Sequence, residues 1–151
     1  MLLSFITILL WMASPAQAQR PCTEIGCMNG LTIEIPFDYQ WQRGAYVFDF
    51  DLDGKAVHCT GSLPLKSCDQ RSLTCNAEGV MIMESGCALP NGHGFGMITI
   101  DSSPASASVR ITRNGQTIAQ SSWKPAYKIT QPNGPACEPT CRQATVSITL
   151  K

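Results

Sequence analysis

The stretch from Phe48 to Lys55, FDFDLDGK, together with the AVHCT that carries it on to Thr60, decides the fold. Its aspartates admit two readings. Asp49, Asp51, Asp53 and Gly54 stand at the first, third, fifth and sixth places of a calcium-binding loop. The same residues also read as a β-strand ending in an Asp-Gly turn. If Asp53-Gly54 is a two-residue hairpin turn, Leu52 faces Lys55, Phe50 meets Val57 and Phe48 meets Cys59 on one face. On the other face Asp51 meets Ala56, Asp49 meets His58 and Val47 meets Thr60. The apolar residues therefore sort onto one side with no further assumption. An EF-hand would need a bidentate carboxylate at its twelfth place, where Thr60 stands, and helices on either flank, where the residues alternate as strands. The hairpin is the reading adopted, and no tight calcium site is expected.

Outward from the hairpin the apolar period stays at two. Leu31-Thr-Ile33-Glu-Ile35 alternates and stops at Pro36. Val80 to Met83 and Met97 to Ile100 are apolar runs of strand length. Val109 to Arg113 meets Gln116 to Ile118 across Asn114-Gly115, a strong hairpin signal. Ala144, Val146, Ile148 and Leu150 close the chain in alternation. Seven or eight short strands with turns between them, and no helical stripe, predict an all-β antiparallel two-sheet sandwich, with a small β-barrel as the alternative.

The first twenty residues carry an apolar run from Leu2 to Ala13, then Ser14-Pro15 and Ala16-Gln17-Ala18. This is the pattern of a secretory signal peptide over residues 1–18. A run of about twelve apolar residues is too short to span a bilayer core that needs roughly twenty. The expected domain is 19–151, exported to a periplasmic or extracellular destination. All eleven acidic and eleven basic residues fall within it, and the net charge is zero. With no basic block, nucleic acid and anionic membrane surfaces are excluded as partners.

All eight cysteines, Cys22, Cys27, Cys59, Cys68, Cys75, Cys87, Cys137 and Cys141, lie in the exported part. An even number in an oxidising compartment reads as full pairing into disulfides rather than as a zinc site. Eight cysteines allow 105 connectivities. The short loops Cys22 to Cys27 and Cys137 to Cys141 are the preferred pairs, because Gly26 and Pro139 can supply their turns.

Candidates for chemistry are few. Of the two histidines, His58 is expected to form an exposed cross-strand pair with Asp49, with no nucleophile placed beside it. His93 lies in Asn91-Gly-His-Gly-Phe-Gly96, a glycine-rich stretch with no following helix to present its end to a phosphate. Here His93 and Phe95 are the candidate binding residues, an imidazole and an aromatic ring projecting from an adaptable loop. No catalytic residue, metal or cofactor is expected.

Near the carboxyl terminus, Tyr127 is followed by Gln131-Pro-Asn-Gly-Pro-Ala-Cys137-Glu-Pro-Thr-Cys141-Arg-Gln-Ala144. This segment resembles the tail of small, uncharacterised exported bacterial proteins that share a Tyr, a Pro-Asn-Gly-Pro and two cysteines around a proline. The resemblance implies a bacterial cell-envelope setting and an immunoglobulin-like sandwich, and it carries over no activity. The expected function is a non-catalytic binding or interaction module that contacts a protein or another envelope component. An inhibitor of a secreted hydrolase is the alternative, and a small secreted enzyme ranks third.

Overall fold

The computed structural model describes residues 21–151, so the segment read as a signal peptide, and Gln19 and Arg20 after it, lie outside the described residues. Ten strands follow in order: β1 (Gly30–Glu34), β2 (Gly44–Leu52), β3 (Lys55–Leu63), β4 (Leu73–Cys75), β5 (Val80–Ser85), β6 (Gly94–Ile100), β7 (Ala107–Arg113), β8 (Gln116–Trp123), β9 (Lys128–Thr130) and β10 (Cys141–Ser147). They form two five-stranded sheets, ordered β5-β6-β1-β10-β9 and β4-β3-β2-β7-β8. The two sheets are distinct, which is the sandwich and not the barrel.

The decisive hairpin has the expected register throughout, with Leu52↔Lys55, Asp51↔Ala56, Phe50↔Val57, Asp49↔His58, Phe48↔Cys59 and Val47↔Thr60. Asp53 and Gly54 take positive φ, 53° and 82°, as a turn matched to the right-handed strand twist requires. Phe48, Phe50, Val57 and Cys59 are buried, while Asp51, Ala56 and His58 are exposed. The second hairpin repeats the device: Asn114 and Gly115 turn at φ 50° and 82°, and Arg113 faces Gln116.

One pairing departs from the antiparallel expectation. β1 and β10 run parallel, from Gly30↔Gln143 to Glu34↔Ser147. Alternation within a strand fixes its faces but not its direction, and strands from opposite ends of a chain are free of the tight turn that enforces antiparallel pairing. Both strands alternate inward and outward in the same way, so Leu31, Ile33 and Ala144 still enter the core.

The core is centred on four aromatic rings. Phe95 meets Trp41, Tyr46 and Phe48 edge-on, at centroid distances of 5.1, 5.3 and 5.3 Å. At one side the edge strands β4 and β5 belong to different sheets, and the Glu84 carboxylate spans them. It accepts the backbone N–H groups of Ser72 and Leu73, at 2.9 and 2.7 Å, where no strand partner is available.

All eight cysteines are paired, as expected, but the short-loop pairing is overturned. The bridges are Cys22–Cys137, Cys27–Cys141, Cys59–Cys75 and Cys68–Cys87. The amino-terminal arm does not turn back at Gly26; it lies against the 131–141 segment, and each of its cysteines reaches across to that segment. A single link of sequence separation 115 removes about 5 kcal/mol of unfolded-chain entropy in the loop-closure account. The second link closes only the small ring between two neighbouring bridges, so the two contributions do not add.

Candidate functional site

The three aspartates of the opening stretch are all engaged by the protein itself. The Asp53 carboxylate accepts the backbone N–H groups of Ala105 and Ser106, at 3.0 and 2.7 Å, and the Ser106 hydroxyl at 3.1 Å. The amide bonds from Ser106 and Ala105 hold its pKa below the ordinary 3.8. Asp51 accepts the N–H of Gly54 at 2.8 Å and so caps its own turn. Donors that converge on Asp53 suit an anionic oxygen and oppose a cation, so the stretch is an architectural tie between the β2–β3 turn and the β6–β7 connection.

Asp49 is the most connected charge on the outer face of the second sheet. Its Oδ1 accepts from His58 Nδ1 at 2.7 Å and its Oδ2 from Arg110 at 3.0 Å. Burial pushes its pKa up, but the bonds and charges of His58 and Arg110 outweigh it and leave the carboxyl below its ordinary value. Strand register extends the row, because Arg110 faces Gln120 and the His58 backbone amide donates to the Asn76 side chain at 2.8 Å. Beside this row lie two open, shallow depressions, of about 380 and 250 Å³, which share Asp51 and Ser108. The ring of His58 is thus oriented by a carboxylate, as its place in the register predicts.

The expectation for the glycine-rich stretch needs correction. Phe95 does not project into solvent: it is 2% exposed and sits at the centre of the aromatic cluster. Gly94 already opens β6, and the extra residue of the bulge at Gly96 and Met97 turns Phe95 to the same inner side as Ile98 and Ile100. Gly94 is needed because a side chain there would strike the indole of Trp41, its Cβ coming within 2.5 Å of Trp41 Cδ1. His93 is equally committed. Its Nδ1 accepts the Leu65 N–H at 2.9 Å, and its Nε2 donates to the Leu89 carbonyl at 2.6 Å, which fixes the Nε2–H tautomer. His93 is a strut between the β3–β4 and β5–β6 connections, and Phe95 is core.

The strut belongs to a braced group of connections at one end of the sandwich. Strand direction brings there the β1–β2 connection (35–43), the β3–β4 connection (64–72) and the β5–β6 connection (86–93). Cys68–Cys87 ties the last two, Ser72 caps the Lys66 N–H at 2.7 Å, and Trp41 anchors the first beneath Gly94. From this end Phe37 projects fully, at 102% of its reference exposure, on a turn closed by the Tyr39 N–H and the Pro36 carbonyl. Leu89 is also exposed there. The exposed aromatic sought at Phe95 is therefore Phe37. Its signal was present in the sequence: the alternation that puts Ile33 inside ends at Pro36, so the following aromatic sits on a turn and not in a sheet.

The tail motif is likewise structural. Asn133 makes three hydrogen bonds to the arm and one within the tail: Oδ1 accepts from the Thr23 hydroxyl at 2.6 Å and the Ile25 N–H at 2.9 Å, while Nδ2 donates to the carbonyls of Ile25 and Glu138, at 3.0 and 2.6 Å. Gly134 makes the turn with φ +90°. Tyr127 donates its hydroxyl to the Pro104 carbonyl at 2.9 Å and carries the Arg142 guanidinium over its ring, 4.6 Å from the centroid. No family model, curated protein or solved structure matches the chain. Among the described residues no helix is long and apolar enough to cross a membrane, and four disulfides fit an oxidising compartment outside the cytoplasm.

Proposed function

We propose that the protein is an exported, non-catalytic binding module of the bacterial cell envelope, an immunoglobulin-like sandwich that recognises a protein partner through its braced loop end. The observation that supports this reading is the cross-tying of connections by Cys68–Cys87 and His93 around a fully exposed Phe37. Loops held in place before contact spare the partner the entropic cost of ordering them, and an exposed aromatic is the residue type that most often anchors an interface. A hydrolase inhibitor would present one protruding loop braced within itself. Here the disulfide joins two connections and Phe37 stands on a third, which favours a broad contact surface.

Affinity capture from envelope extract, run in parallel with wild type and a Phe37→Ala/Leu89→Ser variant, tests the reading. The variant is expected to melt as wild type does and to lose the partner that wild type retains. A partner retained equally by both would remove the loop end as the recognition surface.

A further inference from the structure

The four methionines among the described residues, Met28, Met81, Met83 and Met97, all lie outside the core, and the last three share one surface. On β5, Ile82 points inward, so Met81 and Met83 point outward; on β6, Ile98 points inward and Met97 outward. Ile82 faces Ile98 and Glu84 faces Phe95, with an irregularity between them. That bulge sets the single residue Met83 against the pair Gly96 and Met97. Gly96 leaves room there: Met83 Sδ lies 3.7 Å from the position that a Cβ on Gly96 would take, so the thioether leans across onto β6, the strand that carries Met97. Met81 is one outward step along β5 from Met83, about 6.7 Å at the strand rise. The long, unbranched methionine side chain can close such a gap.

Met81, Met83 and Met97 are 56%, 49% and 36% exposed, so their thioethers are open to solvent and not sealed in the core. Threonine or valine would serve an outward strand position better. What three thioethers offer together is a soft, uncharged donor set, which favours Cu(I) over zinc, calcium or magnesium. The cysteines cannot compete for such an ion, because all of them are held in disulfides. We propose that Met81, Met83 and Met97 form a surface site for Cu(I), bound by the three sulfur atoms with no change in oxidation state. The site lies on a sheet face and is independent of the loop-end reading.

The test is titration of the disulfide-bonded protein with Cu(I) supplied as its acetonitrile complex under argon, read by competition with a chromophoric Cu(I) chelator. Methionine methyl resonances are followed by NMR in the same titration. About one equivalent is expected to bind, as a soft three-thioether site predicts, with shifts confined to three of the described methionines. Met81→Ile/Met83→Ile/Met97→Ile is expected to abolish binding with an unchanged melting temperature, while Met28→Ile binds normally. The proposal is overturned if wild type does not bind, if the triple variant binds equally well, or if His58→Ala removes the binding instead.

Discussion

Replacing Phe95 by Ala is the sharpest test of the packing described at the start of β6. The ring is 2% exposed and touches three other aromatic rings edge-on at centroid distances of 5.1 to 5.3 Å. Truncation forfeits its transfer free energy, leaves a cavity between two sheets that cannot collapse freely, and loses those ring contacts. Together these place the cost near 4 kcal/mol, about the middle of the range for buried Phe→Ala. For a domain of about 130 residues, unfolding entropy near 0.27 kcal/mol/K converts this to a fall of about 15 °C in melting temperature. Phe37→Ala supplies the control: the same chemical deletion at a fully exposed turn should stay within about 0.5 kcal/mol. The assay is guanidinium chloride unfolding of the oxidised proteins followed by tryptophan fluorescence, to which Trp41 reports directly from the cluster. A loss under about 1 kcal/mol in Phe95→Ala, or equal losses in the two variants, would refute the assignment of Phe95 to the core.

Other outcomes follow from the arm, the turn and the strut. Unreduced proteolytic mapping should recover Cys22 linked to Cys137 and Cys27 to Cys141; peptides closed as 22–27 or 137–141 would reject the observed course of the arm. Asp53 has a folded pKa below its ordinary 3.8, so it contributes stability above that pH and loses it as pH falls through the folded value. Asp53→Asn should therefore unfold with a weaker acid dependence below about pH 4, and an unchanged acid limb would contradict the amide bonds from Ala105 and Ser106. Calcium should leave the melting temperature unchanged; a rise that Asp51→Ala abolishes would mean the aspartates can turn to a cation. Asn133→Ala should speed exchange of the Ile25 amide roughly tenfold, the equivalent of about one net hydrogen bond, with both bridges still formed, and protection equal to wild type would dismiss the clamp. His93→Ala should cost about 1–2 kcal/mol by leaving the Leu65 N–H without its acceptor, and a neutral result would show that the strut is dispensable.

What the sequence made legible divides along a physical line. Period-two alternation and the Asp-Gly and Asn-Gly turns act between near neighbours, so they specified the first hairpin down to the residue pair and located the second, whose pairing shifts at a bulge between Ile111 and Thr112. The same local logic failed for the cysteines, where turn-forming Gly26 and Pro139 suggested short loops. Those bridges were set by the arm lying along the tail, a long-range pairing to which Asn133 contributes three hydrogen bonds. The parallel match of β1 with β10 was hidden for the same reason. At Asn91 to Gly96 the error had a different source. Glycine was read as flexibility, whereas Gly94 is there to let the Trp41 indole approach the backbone. The stretch was therefore misread at both residues, since Phe95 is core and His93 a strut, while the exposed aromatic at that end of the sandwich is Phe37.

The placement of the crosslinks bears on why a chain long enough to build its own core carries four of them. Cys59–Cys75 joins the register-paired β3 and β4, an edge strand of only three residues that could contribute little pairing by itself. Cys68–Cys87 crosses from the connection on one side of that strand to the connection after β5, at the seam where Glu84 substitutes for a missing strand partner. The remaining pair fastens the arm to Cys137, in the connection before β10, and to Cys141, the first residue of that strand. The bridges thus stand at short edge strands, connections and the amino-terminal arm, where backbone pairing is sparse. Pieces that would otherwise open locally at low cost are fixed, while the row around Asp49, the methionines of β5 and β6, and the end bearing Phe37 stay open to solvent. A sandwich braced at its ends in this way keeps its exposed surfaces in one geometry, and rigidity of this kind suits the recognition proposed above, which would need no rearrangement on binding.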